Sequence, residues 1–353
     1  DWSSDVCSSD LKLVDVPDIL ADLAKVEMHA VQTSGNCIRN TTTDHFAGIA
    51  PDELVNPLVW TEVIRQWSTF HPEFAFLPRK FKIAVSGAKQ DRAAIQVHDI
   101  GLQAARDAKG EVGFKVYVGG GLGRTPIVGQ VIREYLPWQH LITYLEAVIR
   151  VYNRYGRRDN LYKARIKILV KERSIAEYRK QVEAEWAELA NGAGTLTREM
   201  VDGIAARFTQ PAYRTLPRKD SELQTYLDAE AGFARWHGRN VHPHKVAGYA
   251  AVTLSLKRPG VPPGDVTADQ LDAIAALADR YSFGELRVTH EQNLVLPDVE
   301  QRQLHALWRE LKALGIAVPN IGLITNMIAC PGGDFCGLAN AVSIPVALAI
   351  HER

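Results

Sequence analysis

The sequence runs to 353 residues, 46% of them hydrophobic and 23% charged, enough apolar content to bury a sizeable core in about two or three domains. Lysine plus arginine and aspartate plus glutamate both number 41, so no global charge draws the chain to nucleic acid or to a membrane surface, and an anion site has to come from local placement of cations. No apolar run approaches the roughly 18–20 residues of a membrane span, and four cysteines, at positions 7, 37, 330 and 336, are too few for a secreted disulfide framework, which makes a reducing cytoplasm the expected compartment.

The first ten residues, DWSSDVCSSD, begin without Met and have neither the basic nor the apolar region of a signal peptide. They read as an artefactual leader, and Cys7 is set aside as a ligand. Residues 18–30 carry Ile19, Leu20, Leu23 and Val26 at helical spacing and lead into the polar loop TSGNCIRNTTTD. NPLVWTEVIRQWSTF reads as a second helix. LPRKFKIAVSG reads as a strand with Phe81, Ile83 and Val85 on one face and Lys80, Lys82 and Ala84 on the other. Further strands are expected at AAIQVHDI and GFKVYVGGG, and helices at 126–136 and at 138–156, the latter closed by Gly156.

A charged helical section from Ser174 runs into NGAGT, and the weakly periodic stretch to residue 240 is expected to connect domains. Beyond it HKVAGYAAVTLSLKRPG reads as a strand, and Thr267 with Gln270 forms a capping-box pattern opening a helix. GELRVTHEQNLVLP is strand-like, and DVEQRQLHALWRELKALG is a helix ended by Gly315. This alternation of strand and helix suggests half of a ferredoxin-like α+β unit.

Three clusters can carry chemistry. The glycine-rich VGGGLGRTP fails the dinucleotide spacing, because the third required glycine is Arg124. It is either a structural turn or an anion cradle in which the amides around Gly120 and Gly121 act together with Arg124. Arg79, Lys80 and Lys82 lie on or beside one strand; they form either a solvated face or an anion site that Arg39 joins only if the fold closes the distance. Cys330 and Cys336, spaced C-x5-C around Pro331, Gly332 and Gly333, are too wide for a C-x-x-C motif. They are unpaired structural thiols, ligands of an iron–sulfur cluster, or zinc ligands with histidines. His290, and His242 with His244 in HPHK, read as structural and loop histidines.

GNCIRN, LPRKFK, VGGGLG, RVTHEQNLVL and ACPGGDFCGLAN together resemble, in content and order, the sirohaem and iron–sulfur sulfite and nitrite reductases, over residues from about 28 to 353. The resemblance implies an α+β class: the sirohaem reductase fold of two pseudo-repeated halves, each a ferredoxin-like half-domain plus a larger α/β domain, here incomplete at both ends. It divides the chain into a leader (1–10), a first sirohaem/Fe-S α/β domain (28–175), a helical connection (176–240), a ferredoxin-like half-domain (241–316) and the start of a second sirohaem/Fe-S domain (317–353).

The implied cofactors are sirohaem and a 4Fe-4S cluster. Cys330 and Cys336 match its first ligand pair, and a second pair follows in the family. Arg39, Lys80 and Lys82 resemble the catalytic anion-binding cations, Arg79 a partner of the sirohaem carboxylates, and Gln292 and Asn293 macrocycle contacts. The implied reaction is assimilatory six-electron reduction of sulfite to sulfide, with electrons from ferredoxin or an NADPH-dependent flavoprotein subunit. Nitrite reductases of the family typically carry Asn at the second lysine, so Lys80-Phe81-Lys82 favours sulfite. Nitrite reduction, a non-catalytic tetrapyrrole- or anion-binding relative, and a thiol redox or zinc protein are the alternatives.

Overall fold

The computed structural model describes residues 12–352 apart from Arg124, Phe335, Gly337 and Leu338. The leader with Cys7 and the cation expected at Arg124 therefore lie outside the described residues. The chain divides into two compact units, one running to Gly48 and from Asp52 to Thr209, the other made of Ile49–Pro51 with the residues from Gln210 onward. Among the described residues no helix is long and apolar enough to cross a membrane.

In the first unit, a five-stranded mixed sheet has the order β1 (Ile38–Thr42), β2 (Phe81–Ser86), β3 (Ile100–Arg106), β4 (Val112–Val118), β5 (Gln130–Pro137). β1, β2 and β3 run parallel; β4 and β5 continue antiparallel. The helices of this unit are α1 (Val16–Lys25), α2 (Pro57–Ser68), α3 (Leu141–Tyr155), α4 (Ile166–Arg173), α5 (Ile175–Leu189) and α6 (Arg198–Ala205). Asn56 caps α2 by accepting from the Leu58 N–H at 3.1 Å, with Pro57 in the first turn. Phe81, Ile83 and Val85 join Tyr144, Val148 and Tyr152 of α3 and Tyr178 and Val182 of α5 in one core. The opposite face of β2 is covered as well, since Ala84 packs with Ala93, Ile95 and Tyr117.

Three local expectations change here. The expected helix at 126–136 is not formed; from Gln130 the chain is β5 instead: the apolar positions fit either period, and antiparallel pairing with β4, Phe114 opposite Leu136 and Tyr117 opposite Val131, decides for the strand. The stretch 93–100 is a 3-10 turn at Ile95–Val97, entered through Ala94 at φ 51°, and β3 begins only at Ile100. The polar loop around Cys37 contains β1, a strand fixed by its partner β2 and not by its own composition.

In the second unit, the antiparallel sheet has the order β6 (Val241–Pro243), β7 (Tyr249–Leu254), β9 (Leu294–Glu300), β8 (Arg287–Val288). Helices α7 (Ser221–Ala229), α8 (Ala231–Asn240), α9 (Ala268–Tyr281) and α10 (Leu304–Ala313) share its core through Leu223, Trp236, Leu277 and Leu307. Thr267 and Gln270 close the expected capping box on α9. The stretch 176–240 is divided between the two units, α5 and α6 in the first and α7 and α8 in the second. α11 (Ile344–His351) is apolar along its length, and of its side chains Ala347 is buried.

Candidate functional site

β1 and β2 carry the first candidate site. Their parallel register sets Ile38 opposite Phe81, both in the core, and the Phe81 N–H donates to the Cys37 carbonyl at 3.0 Å. GNCIRN and PRKFK thus run side by side although about forty residues separate them in sequence. Alternation along β2 puts Lys80 and Lys82 on the side away from the Phe81 core face, and Arg39 follows Ile38 where the pairing of β1 with β2 is irregular. The Arg39 guanidinium donates to the Gly35 carbonyl at 3.1 and 3.2 Å and to the Thr33 carbonyl, so the loop itself aims it. Those acceptors are neutral carbonyls of the same loop.

Beneath Lys82 lies a support absent from the sequence reading. Its backbone N–H donates to Asp99 Oδ2 at 2.8 Å, and Asp99 is fully buried against Arg165, whose guanidinium reaches it at 2.7 to 3.0 Å. Burial first, then the like charges of Lys80 and Arg165, hold the Lys82 ammonium below the ordinary lysine range. Arg79 is half-buried, and its carbonyl faces the Tyr152 hydroxyl at 3.5 Å. Only the tertiary contact identifies Asp99 and Arg165; nothing in the HDI and KARI segments marks them.

The glycine turn is closely packed, and two of its amides are used within the chain. Gly119 donates its N–H to the Asp99 carbonyl and Gly121 donates to the Ile127 carbonyl, so those amides are spent within the chain. Lys167 holds the turn from below, donating to the Leu122 and Thr125 carbonyls at 2.8 and 2.6 Å. A Cβ on Gly120 would stand 2.3 Å from the Gln96 carbonyl oxygen and 2.6 Å from that of His98. Gly120→Ala should therefore destabilise the first unit by roughly 3 kcal/mol, read from urea unfolding; a loss below about 0.5 kcal/mol would show that the 95–98 segment yields freely.

The second unit carries the thiols. Cys330 is exposed and Cys336 half-buried, and both are unpaired. Gly332 sits at φ 65°, where a Cβ would meet Ser343 Oγ at 2.5 Å and its backbone nitrogen at 2.8 Å. The loop closes by bonds from Cys336 N–H to the Gly332 carbonyl and from Gly333 N–H to the Ala341 carbonyl, each 2.8 Å. Ser343 Oγ stands 3.1 Å from Cys330 Sγ. Gln292 and Asn293, expected at the macrocycle, are buried under this loop with their amides engaged by the chain. Gln292 bonds both backbone groups of Ala329, at 2.6 and 3.1 Å, and Asn293 donates to Asn326 Oδ1 at 3.2 Å.

The histidines are engaged too. His242 Nε2 meets Thr253 Oγ1 at 2.9 Å; His244 accepts from the Val246 N–H and faces Asp298 at 3.1 Å, using both ring nitrogens. Cys37 donates to the Ser34 carbonyl at 3.3 Å, and burial pushes its thiol upward. Among the described residues no three His, Cys, Asp or Glu side chains converge on a metal-sized site.

Residues 34–189 match the family model of the nitrite and sulphite reductase 4Fe-4S domain, and residues 248–314 match the nitrite/sulfite reductase ferredoxin-like half domain. The chain is 30% identical over 348 residues to the chloroplastic ferredoxin–nitrite reductase of Arabidopsis thaliana, covering 97% of this chain and 53% of that protein. It is 28% identical over 333 residues to the protein named sulfite reductase (ferredoxin) 1 of Mycolicibacterium paratuberculosis, covering 94% and 52%. The solved NirA protein of Mycobacterium tuberculosis matches with a TM-score of 0.71 at 27% identity, over 96% of this chain and 55% of that one. The chain thus spans about half the length of the relatives it matches.

Fold and matches define the class, a mixed α/β reductase fold with a ferredoxin-like half domain. More particularly, the chain belongs to the nitrite and sulfite reductase family, whose members use sirohaem and a 4Fe-4S cluster. The residues present fit those groups. A thiol pair in a glycine-shaped loop, Cys330 exposed and Cys336 half-buried, offers half of a four-thiolate cage, and the cations beside β1 and β2 match the sign of a carboxylate-bearing macrocycle and of an oxyanion.

Proposed function

We propose that this chain forms the anion-binding and first cluster-ligand part of a sulfite reductase that converts sulfite to sulfide with six electrons. The observation that carries this reading is the parallel pairing of β1 with β2, which gathers Arg39, Lys80 and Lys82. When bound, sirohaem and the cluster would supply an iron for the anion and pass on electrons from the external donor. Cys330 and Cys336 would hold the cluster, and Arg79 a carboxylate of the macrocycle.

Arg39, always charged and fixed by its own loop, clamps the dianion. Lys80 and Lys82 stabilise charge on the oxygens, and each oxygen leaves as water, which requires protons. Lys82 Nζ, with its lowered pKa, suits that donor role. A second lysine also suits the dianion sulfite better than the monoanion nitrite. Relatives named as ferredoxin enzymes favour ferredoxin as the electron donor over a flavoprotein subunit. Free thiols suit a reducing compartment such as the cytoplasm.

The test is turnover of the gene product containing this chain with a reduced viologen donor. Sulfite should be used with the higher kcat/KM; a clear preference for nitrite overturns the substrate assignment. The pH profile adds a signed expectation. Lys82 binds an anion only while protonated, and its pKa lies below that of an ordinary lysine, so KM for sulfite should climb on the alkaline side as the proton leaves. Lys82→Arg should move that climb to higher pH, and an unmoved profile counts against Lys82 as an anion contact.

A further inference from the structure

A buried polar network in the second unit ends at the residue before Cys330. Its root is Lys257, just beyond β7, which is 1% exposed. The Lys257 ammonium donates to the Glu291 carbonyl, to the Gln292 carbonyl at 3.0 Å and to Asn293 Oδ1 at 2.9 Å. Asn293 Oδ1 also accepts from the Leu256 N–H at 3.2 Å, and Thr289 Oγ1 accepts from the N–H groups of Glu291 and Asn293 at 3.2 and 3.0 Å. Side-chain bonds thus hold the turn between β8 and β9 at Thr289, Glu291, Gln292 and Asn293.

At its tip Gln292 adopts φ 59°, a left-handed conformation that non-glycine residues rarely take. That conformation aims the side chain at Ala329, itself 9% exposed. Nε2 donates to the Ala329 carbonyl at 2.6 Å, and Oε1 accepts from the Ala329 N–H at 3.1 Å. One amide side chain thus satisfies both backbone groups of the residue preceding the thiol, as a neighbouring strand would.

We propose that Gln292, seated by Lys257, is a positioning residue for Cys330, fixing the backbone from which the thiol leaves rather than contacting a macrocycle. This rests on the reading of Cys330 as a cluster ligand. Groups that orient a metal ligand typically change metal affinity by about ten- to a hundredfold when removed, and Cys330 is an exposed thiol that follows the residue Gln292 holds. A Glu at 292 would still accept from the Ala329 N–H but would set a carboxylate oxygen against its carbonyl.

The test uses the cluster-loaded gene product containing this chain and compares wild type, Gln292→Glu and Gln292→Met. Three quantities are read: the rate of iron loss to excess chelator, the sirohaem absorbance and the thermal unfolding of the metal-free protein. Iron loss faster by about tenfold or more, with sirohaem retained, is the expected result. Iron loss at the wild-type rate in a folded variant overturns the proposal, and so does loss of sirohaem with an intact cluster. Gln292→Met fills the space with neither bond and gives the same readout if the buried carboxylate unfolds the unit. Cys330→Ser is measured alongside: retention of the cluster there defeats the ligand reading itself, whatever the Gln292 variants do.

Discussion

Replacing Cys330 or Cys336 with serine, in the gene product containing this chain, should remove the 4Fe-4S cluster and abolish reductase turnover together. Thiolate is the soft donor that iron–sulfur clusters require; a hydroxyl binds that iron poorly and opens the cage. The loop is shaped for such a cage, with Gly332 at φ 65° packed against Ser343 and the chain turned so that Cys336 N–H returns to the Gly332 carbonyl at 2.8 Å. On a regular helix two residues six apart lie far round the circumference from each other.

The bland alternative, two structural thiols, makes an opposite forecast. Cys330 is exposed, so the metal-free Cys330→Ser protein should unfold within about 0.5 kcal/mol of wild type. Unchanged stability with lost iron and lost turnover is the signature of a ligand. Unchanged visible absorption and unchanged turnover in that single variant would end the assignment. The zinc reading fares less well at the outset, because His242 and His244 are committed to Thr253, Val246 and Asp298.

Lys82→Asn should depress sulfite turnover on the order of a hundredfold and nitrite turnover by much less, since removing one preorganised charge that faces developing negative charge costs a few kcal/mol. The substitution is clean for a structural reason. The bond from position 82 to Asp99 runs through the backbone N–H at 2.8 Å, so the Asp99–Arg165 support stays while the ammonium goes. Kinetics on both substrates decide it. Equal losses would mean that the second lysine serves binding in general and carries no preference, and the substrate would then have to be argued from elsewhere.

Legibility differed between the two sites for one reason, chain separation. The cysteine pair, its prolyl-glycyl loop and the Lys80–Lys82 spacing are local, and a period of two or a six-residue interval is readable without a fold. The pairing of GNCIRN with PRKFK is not local. β1 is rich in Asn and Thr, has no strand pattern of its own, and becomes a strand because Phe81 N–H and its neighbours offer partners. The same competition set β5, from Gln130, where a helix was expected at 126–136. For glycines 119 to 121 sequence reports flexibility and not where the amides go; the Asp99 and Ile127 carbonyls take two of them.

By itself, then, the sequence determined the chemical inventory: two soft thiolates spaced six apart, paired lysines on one strand face, an arginine in a polar loop, and the Thr267–Gln270 capping box. These follow from residue type and short spacing, which covalent geometry and local hydrogen bonding enforce. Tertiary structure alone decided which of them meet and what holds them. It paired the strand of Ile38 with that of Phe81, put Asp99 and Arg165 beneath Lys82, and set Gln292 against the backbone of Ala329. Each of those rests on hydrogen bonds or ion pairs between groups far apart in the chain, and their strength comes from burial that exists only once the sheets and helices have packed.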